Sequence, residues 1–283
     1  MQRVDEVLEL LDLDTLDEDV FSGDHPETMR QRSFGGQVMA QALAAVYRTL
    51  PAGRIAHSLT GYFLRPGRTD AQIAYHVQRT RDGGTFSTRR VEARQGDRMI
   101  FVMSASLKDA EDGLEHAAPP LAEPPDPESC PPLSEVLGRR STVDAAAWER
   151  EWGALETRFG GLNRLDGGHL QVWLRSNGPL PDDPRVHQMV LAYASDLTLL
   201  AVSTVAHPDA FGRGDLQMAT IDHTMWFHRP IRADEWVLYD QSSPTAVNAL
   251  GLALGRLYSA DGILGASAAQ EGLVRLPDGA TRD

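Results

Sequence analysis

The chain is poor in cysteine, lysine and long apolar runs, and each shortage excludes a class of protein. Cys130 is the only cysteine in 283 residues, so no disulfide can form within the chain. Such usage fits a reducing cytoplasm. Positive charge is short as well: Lys and Arg number 27 against 40 Asp and Glu, a net charge of −13. Nucleic acid is not an expected partner, because phosphate backbones are met by basic surfaces. No apolar run approaches the roughly 20 residues that span a bilayer. The start, MQRVDEVLEL, has neither the basic region nor the apolar stretch of a secretory signal. Export and membrane insertion are therefore not expected. Among the basic residues, Lys108 stands alone against 26 arginines. The guanidinium fork suits phosphate, but the codon bias of a GC-rich genome accounts for this skew without any ligand.

Familiar catalytic signatures are missing too. No G-x-S-x-G elbow marks a serine hydrolase. Nine histidines include no H-E-x-x-H, and no second cysteine can pair with Cys130. His223 and His228, five apart on an expected strand, point to opposite faces and make poor joint metal ligands. No Walker loop or G-x-G-x-x-G follows a strand. Cys130 lies beside two prolines in a polar stretch, without the electropositive pocket that activates a thiol. Neither a metal nor a redox cofactor is expected.

What is present is a globular pattern. Hydrophobic residues make up 42% of the chain, enough for a packed core. The length fits two domains or one large one. Val4, Val7, Leu8 and Leu11 have helical spacing. Residues 34–47, FGGQVMAQALAAVY, read as a helix apolar nearly all round. Strands are expected at 55–64, 72–80, 85–95 and 98–107, with turns at Asp82-Gly83-Gly84 and Gly96-Asp97. Residues 109–132 are rich in proline and acid and read as a linker. Beyond it, 185–206 reads as a helix, and 216–228, 235–241, 248–258 and 262–275 as strands.

The two halves align at a constant offset of 164 residues. Thr60, Phe63, Arg65, Pro66, Arg68, Asp70 and Tyr75 meet Thr224, Phe227, Arg229, Pro230, Arg232, Asp234 and Tyr239. Seven identities in the sixteen positions from 60 to 75 exceed chance, which would give about one. Without a gap, the same offset pairs the helix at 34–47 with the stretch from 198. The chain therefore reads as two copies of a helix followed by long antiparallel strands. Such a sheet buries its apolar face around the helix, and two sheets can join edge to edge. The expected fold is α+β, a double hotdog. Its parts are a first repeat over 1–108, a connection over 109–150, and a second repeat over 151–283.

Several motifs resemble one family. DHTMWFH at 222–228 with Arg229-Pro230 is similar to the signature of type II acyl-CoA thioesterases. So are FGGQ at 34–37, HSLTGYFLRPG at 57–67, YASDL at 193–197 and AAQEGLVR at 268–275. The likeness spans about residue 5 to 275 and is weakest over 109–160. It implies hydrolysis of fatty acyl-CoA to fatty acid and CoA. It also implies a homo-oligomer and a catalytic trio of Asp196, Thr220 and Gln270.

The residues can be weighed without the family. Asp196, taken as helical, has Ala192, Tyr193, Leu199 and Leu200 as its helix-face neighbours. That places a carboxylate on a buried face, where it either caps a backbone group or is a functional acid with a raised pKa. Gln270 ends the period-two face Leu264, Ala266, Ala268, which alone reads as a sheet rim. Thr220 alone means little. At the repeat offset the three face Arg32, Ala56 and Ser106, so one active site per chain is expected, carried by the second copy. Asp196 would then activate a water held by Thr220 and Gln270. A backbone N–H near Gly35 and Gly36 would receive the oxyanion.

Other positions stay open between two readings. Asp222 and His223 are either a second catalytic pair or strand-ordering groups. Arg89 and Arg90 are either CoA-phosphate ligands or a solvated strand face. Met39, Phe63, Met225 and Trp226 are either acyl-chain lining or core. A hotdog enoyl-CoA hydratase is a second candidate, but it pairs an Asp with a His, and no His lies within four residues of Asp196. A non-catalytic acyl-CoA-binding protein is the third.

Overall fold

Val4, Val7, Leu10 and Leu11 form the buried stripe of the first helix, α1 (Val4–Leu11). A computed structural model describes residues 1–140, 144–164, 167–210 and 215–276 of the chain. After α1 come a short hairpin, β1 (Asp14–Asp17) and β2 (Val20–Gly23), and then helix α2 (Gly35–Arg48). Four long strands follow: β3 (Ile55–Phe63), β4 (Ile73–Asp82), β5 (Phe86–Gln95) and β6 (Arg98–Lys108). Next are α3 (Leu133–Arg140), α4 (Ala145–Trp152), β7 (Leu155–Asn163), β8 (His169–Ser176) and α5 (Pro184–Ser195). The last strands are β9 (Gln217–Phe227), β10 (Val237–Val247), β11 (Leu250–Ser259) and β12 (Leu264–Arg275).

Among the described residues the strands form one antiparallel sheet, ordered β1-β2-β4-β5-β6-β3-β9-β12-β11-β10-β8-β7. Each half of the chain supplies one half of it, and the halves meet at β3 and β9. There Thr60 lies opposite Thr224, and their hydroxyls bond at 3.2 Å. Ser58 faces Trp226 and Tyr62 faces Asp222. Because the repeat offset relates Thr60 to Thr224, this register puts a local twofold axis between them. The double hotdog expected from the repeat is the architecture that forms.

Inside the curved sheet, α2 and α5 pack antiparallel. Residues Gly36 to Tyr47 of α2 are all buried. Its alanines let the sheet and α5 approach, while Met39, Leu43 and Val46 fill the space between. Burying each of these three contributes roughly 1.5–3 kcal/mol.

Three sequence expectations change. First, the offset that aligns the strands carries Gly35 to Leu199, past the end of α5 at Ser195. The helix pair therefore follows a different register, and Arg32 is not the counterpart of Asp196. Second, the helix expected over 185–206 stops at Ser195 and resumes as a 3-10 turn over Leu200–Thr204. Hydroxyls compete for the backbone here: Ser195 donates to Ala192 O, and Ser203 to Leu200 O. Third, β1, β2, β7 and β8 were not anticipated.

The unseen β8 has a clear cause in the 109–132 connection, which is strapped over the outer sheet face. Tyr258 donates to Ala118 O at 3.0 Å, Gln171 to Ala122 O at 2.9 Å, and Trp173 to Pro125 O at 2.9 Å. Leu121 N–H donates to Asp240 at 2.7 Å. Cys130 packs with Trp173, Trp236, Leu238 and Tyr258 beneath the strap. Buried on both faces, β8 loses the two-residue alternation that marks a strand.

Candidate active site

Asp196 caps the C-terminus of α5, and its side chain is only 6% exposed. Thr220 Oγ1 donates to Asp196 Oδ1 at 3.0 Å, and Gln270 Nε2 to the same oxygen at 2.5 Å. Gly36 N–H, in the first turn of α2, donates to Oδ2 at 2.9 Å. Gln270 Nε2 gives its second hydrogen to Thr220 Oγ1 at 2.6 Å. Both amide hydrogens are then spent. The amide oxygen is left buried, with no donor in the protein.

A β-bulge makes this convergence possible. Gln270 lies opposite His223, and Asp222 opposite Glu271, but Thr220 lies opposite Gly272. Ile221 is the extra residue. Strict alternation would turn Thr220 and His223 to opposite faces; the bulge resets the phase, and both face the helices. The pseudo-equivalent irregularity occurs in β3, between Ala56 and Ser58.

Glycine lets the N-terminus of α2 come this close. A Cβ on Gly35 would lie 2.6 Å from Asp196 Oδ2, and one on Gly36 would overlap the Tyr193 carbonyl. The Gly36 N–H is occupied by the carboxylate, so it is not the free oxyanion donor expected from the sequence. Its helix-end dipole instead favours the charge of Asp196.

Burial pushes the Asp196 pKa from 3.8 to about 6. The bonds from Thr220, Gln270 and Gly36 work against that rise, as does the nearby Arg30 guanidinium. Arg30 had no sequence signal. It is held between Phe34 and Trp152, at 5.1 and 4.8 Å from the ring centres, and its buried Nη1 has no acceptor in the protein. The result is a carboxylate ionised at neutral pH and still basic enough to take a proton.

The other expected residues divide. Gln270 is 1% exposed, so the rim reading is wrong. His223 is wholly buried, with Nδ1 4.0 Å from Asp196 Oδ1. The fold thus brings a histidine to Asp196 that sequence distance did not show. Asp222 points to the opposite face and accepts from Glu271 N–H at 3.4 Å, so Asp222 and His223 are not a pair. Trp226 is 42% exposed on the outer face and cannot line an inner acyl pocket. Phe63 borders the site: its ring lies 3.0 Å from where a Gly35 Cβ would stand. Met39 and Met225 are fully buried inside the sheet.

Arg89 is corrected as a phosphate ligand. It is 1% exposed and donates to Asp82, Thr49 Oγ1, Thr49 O, Arg81 O and Thr88 O. All its donors serve the loop ends around it. Arg90, on the other face of β5, pairs with Glu92 at 3.3 Å.

Among the described residues, the opposite end of the helix pair holds no equivalent carboxylate site. Tyr47 OH there accepts from Ala56 N–H at 3.0 Å and donates to Gln188 Oε1. Ala56 is the repeat counterpart of Thr220, so a satisfied phenol sits where the other junction has its carboxylate.

Family models match both halves. One described as acyl-CoA thioesterase covers residues 142–273, and one described as acyl-CoA thioesterase N-terminal domain covers 25–108. Acyl-CoA thioesterase 2 of Haemophilus influenzae is 34% identical, over 96% of this chain and 98% of its own length. Acyl-coenzyme A thioesterase 8 of Mus musculus is also 34% identical, over 95% of this chain and 89% of its own. The crystal structure of acyl-CoA thioesterase II TesB2 from Mycobacterium marinum superposes with a TM-score of 0.83 at 39% identity, covering 97% of this chain and 100% of that one.

Proposed function

We propose, from the premise that this chain belongs to the acyl-CoA thioesterase family and is a thioester hydrolase, that Asp196 is its general base. One observation carries the reading: a buried carboxylate with a pKa near 6, fixed by Thr220, Gln270 and Gly36. A water attacks the thioester carbonyl carbon of a fatty acyl-CoA, and its proton passes to Asp196. The tetrahedral intermediate collapses, the C–S bond breaks, and the CoA sulfur takes that proton. Gln270 Oε1, a buried acceptor with no donor in the protein, holds the second hydrogen of the water. Thr220 and Gln270 thus fix the approach rather than react. No covalent intermediate, metal or redox cofactor enters this scheme.

The acyl chain runs between the sheet and the helices, beside Phe63, with Met39 and Met225 behind it. The functional units in this reading are the repeats 1–108 and 151–283, joined by 109–150, with the trio all from the second. The same reading includes a homo-oligomer in the cytoplasm. Support for assembly comes from Tyr62, Trp226 and Leu254, each more than 40% exposed on the outer sheet face. The single buried Cys130 suits a reducing compartment.

The test is free-thiol release from acyl-CoAs of increasing chain length, with wild type and Asp196→Asn. Turnover by wild type and a loss of about 100-fold or more in the variant is the expected result. Equal turnover by both removes Asp196 from the role of base.

A further inference from the structure

The trio leaves the buried imidazole of His223 unused. Its Nε2 lies 3.0 Å from Ser195 Oγ. Ser195 directly precedes Asp196, and its hydroxyl donates its one hydrogen to the Ala192 carbonyl at 2.9 Å. The Ser195 oxygen can therefore only accept from His223, so the hydrogen between them belongs to Nε2. Burial drives the pKa of the ring down to about 3, which keeps it neutral with a single N–H. Nδ1 is then a bare lone pair. It is fully enclosed, has no donor in the protein, and stands 4.0 Å from Asp196 Oδ1.

We infer that His223 is a positioning residue: Ser195 locks it in the Nε2–H form, so that an acceptor, and not a fourth donor, faces Asp196. The inference rests on Asp196 as the base. Each donor to a carboxylate favours its ionised form and lowers its pKa. Asp196 already takes three. The opposite tautomer would turn an N–H toward Oδ1 and weaken the base further, and an imidazolium would quench it. The other groups around Asp196 do not supply this control. Arg30, from the loop before α2, is a cation whose charge is favoured by the nearby carboxylates of Glu151 on α4 and of Asp196 itself. Tyr193 of α5 and Tyr239 of β10 are held neutral by burial, and the Tyr239 hydroxyl donates to Ser195 O at 3.0 Å. Only the tautomer of His223 is set by a side chain, the Ser195 hydroxyl, whose own bonds go to Ala192 O and the imidazole and not to the Asp196 carboxylate.

Ser195→Ala tests this without altering either ring or base. The variant removes the acceptor of Nε2–H and frees the ring to adopt the Nδ1–H form against Asp196. The acid limb of kcat/KM is expected to move about one pH unit lower, with a plateau about threefold lower, as partial proton transfer to a base weakened by one unit gives. Ser195→Thr, which keeps the hydroxyl, is expected to restore both. Nitrogen NMR shifts of the imidazole are expected to show Nε2 protonated and Nδ1 bare in wild type. A wild-type ring protonated at Nδ1, or an acid limb unmoved in Ser195→Ala, overturns the inference. A merely structural Ser195 would lower stability but leave the limb in place. If Asp196→Asn retained the wild-type limb, the base assignment would fall, while the nitrogen shifts would still report the tautomer on their own.

Discussion

Replacing Asp196 by asparagine is expected to separate activity from stability, in a direction set by pH. Folding lifts the pKa of Asp196 from 3.8 to about 6. The native state therefore holds this proton more tightly than the unfolded chain does. That contribution is fully present below pH 4 and is lost as pH rises through 6. At about 1.4 kcal/mol per pKa unit, wild type loses about 3 kcal/mol across the window from this residue. Asparagine does not titrate, so it escapes the loss. It carries a cost of its own, because three donors converge on the carboxylate: Thr220, Gln270 and Gly36. Whichever way the amide turns, its NH2 meets at least one of them and presents one hydrogen more than the protonated carboxyl of wild type at pH 4, a mismatch worth about 1–3 kcal/mol. The variant is thus expected to be about 1–3 kcal/mol less stable than wild type at pH 4. At pH 8 it should equal wild type or exceed it by up to about 2 kcal/mol. Urea unfolding of both proteins at several pH values measures this, and other carboxylates cancel in the difference. A stability difference that stays constant from pH 4 to 8 would refute a raised Asp196 pKa and the buried-charge reasoning with it.

The acid limb of wild-type kcat/KM should have its midpoint near pH 6 and fall tenfold per unit below it, because the base must be ionised; a limb centred near pH 4 would contradict this. Arg89→Ala should cost about 2–4 kcal/mol on unfolding and leave the KM for acyl-CoA within about twofold, because the guanidinium is buried among Asp82 and the carbonyls of Thr49, Arg81 and Thr88; a large rise in KM with unchanged stability would return it to CoA binding. Trp226→Ala should leave the acyl-length preference unchanged, since the indole is on the outer face; a shifted preference by the thiol-release assay would place it in the pocket after all. Gly36→Ala should abolish most turnover and destabilise the fold by about 1–3 kcal/mol, because the added methyl overlaps the Tyr193 carbonyl; wild-type rates in this variant would count against the tight α2–α5 junction.

Much of this molecule was legible in one dimension. Eight of the twelve strands among the described residues, β3–β6 and β9–β12, were legible in the sequence, and so was the 164-residue offset, from identities such as Thr60 with Thr224. That pair proved to sit on the local twofold axis. The three residues of the trio follow from motifs that resemble those of the family, and the structure brings their side chains into mutual hydrogen bonds. The misreadings share a cause. β8 is hidden in the sequence because the strap buries its second face, and α5 is shorter than its apolar pattern predicts because Ser195 ends it from within. Arg89 is neither a phosphate ligand nor on a solvated face, and Trp226 neither lines the pocket nor joins the core, because residue type does not say which face of a sheet a side chain takes, or what already occupies its donors.

Local order along the chain was thus set by the sequence itself: two copies, their strands, and a carboxylate with apolar neighbours. These follow from spacing, and spacing is a one-dimensional quantity. The chemistry of the site was decided only in three dimensions. The bulge at Ile221 turns Thr220 and His223 to one side. The antiparallel helix pair brings the Gly36 N–H, 160 residues away in the chain, onto Asp196. Closure of the sheet then dries the carboxylate and raises its pKa. Register, bulge and burial depend on which elements meet, and that is a property of the packed chain rather than of any segment in it.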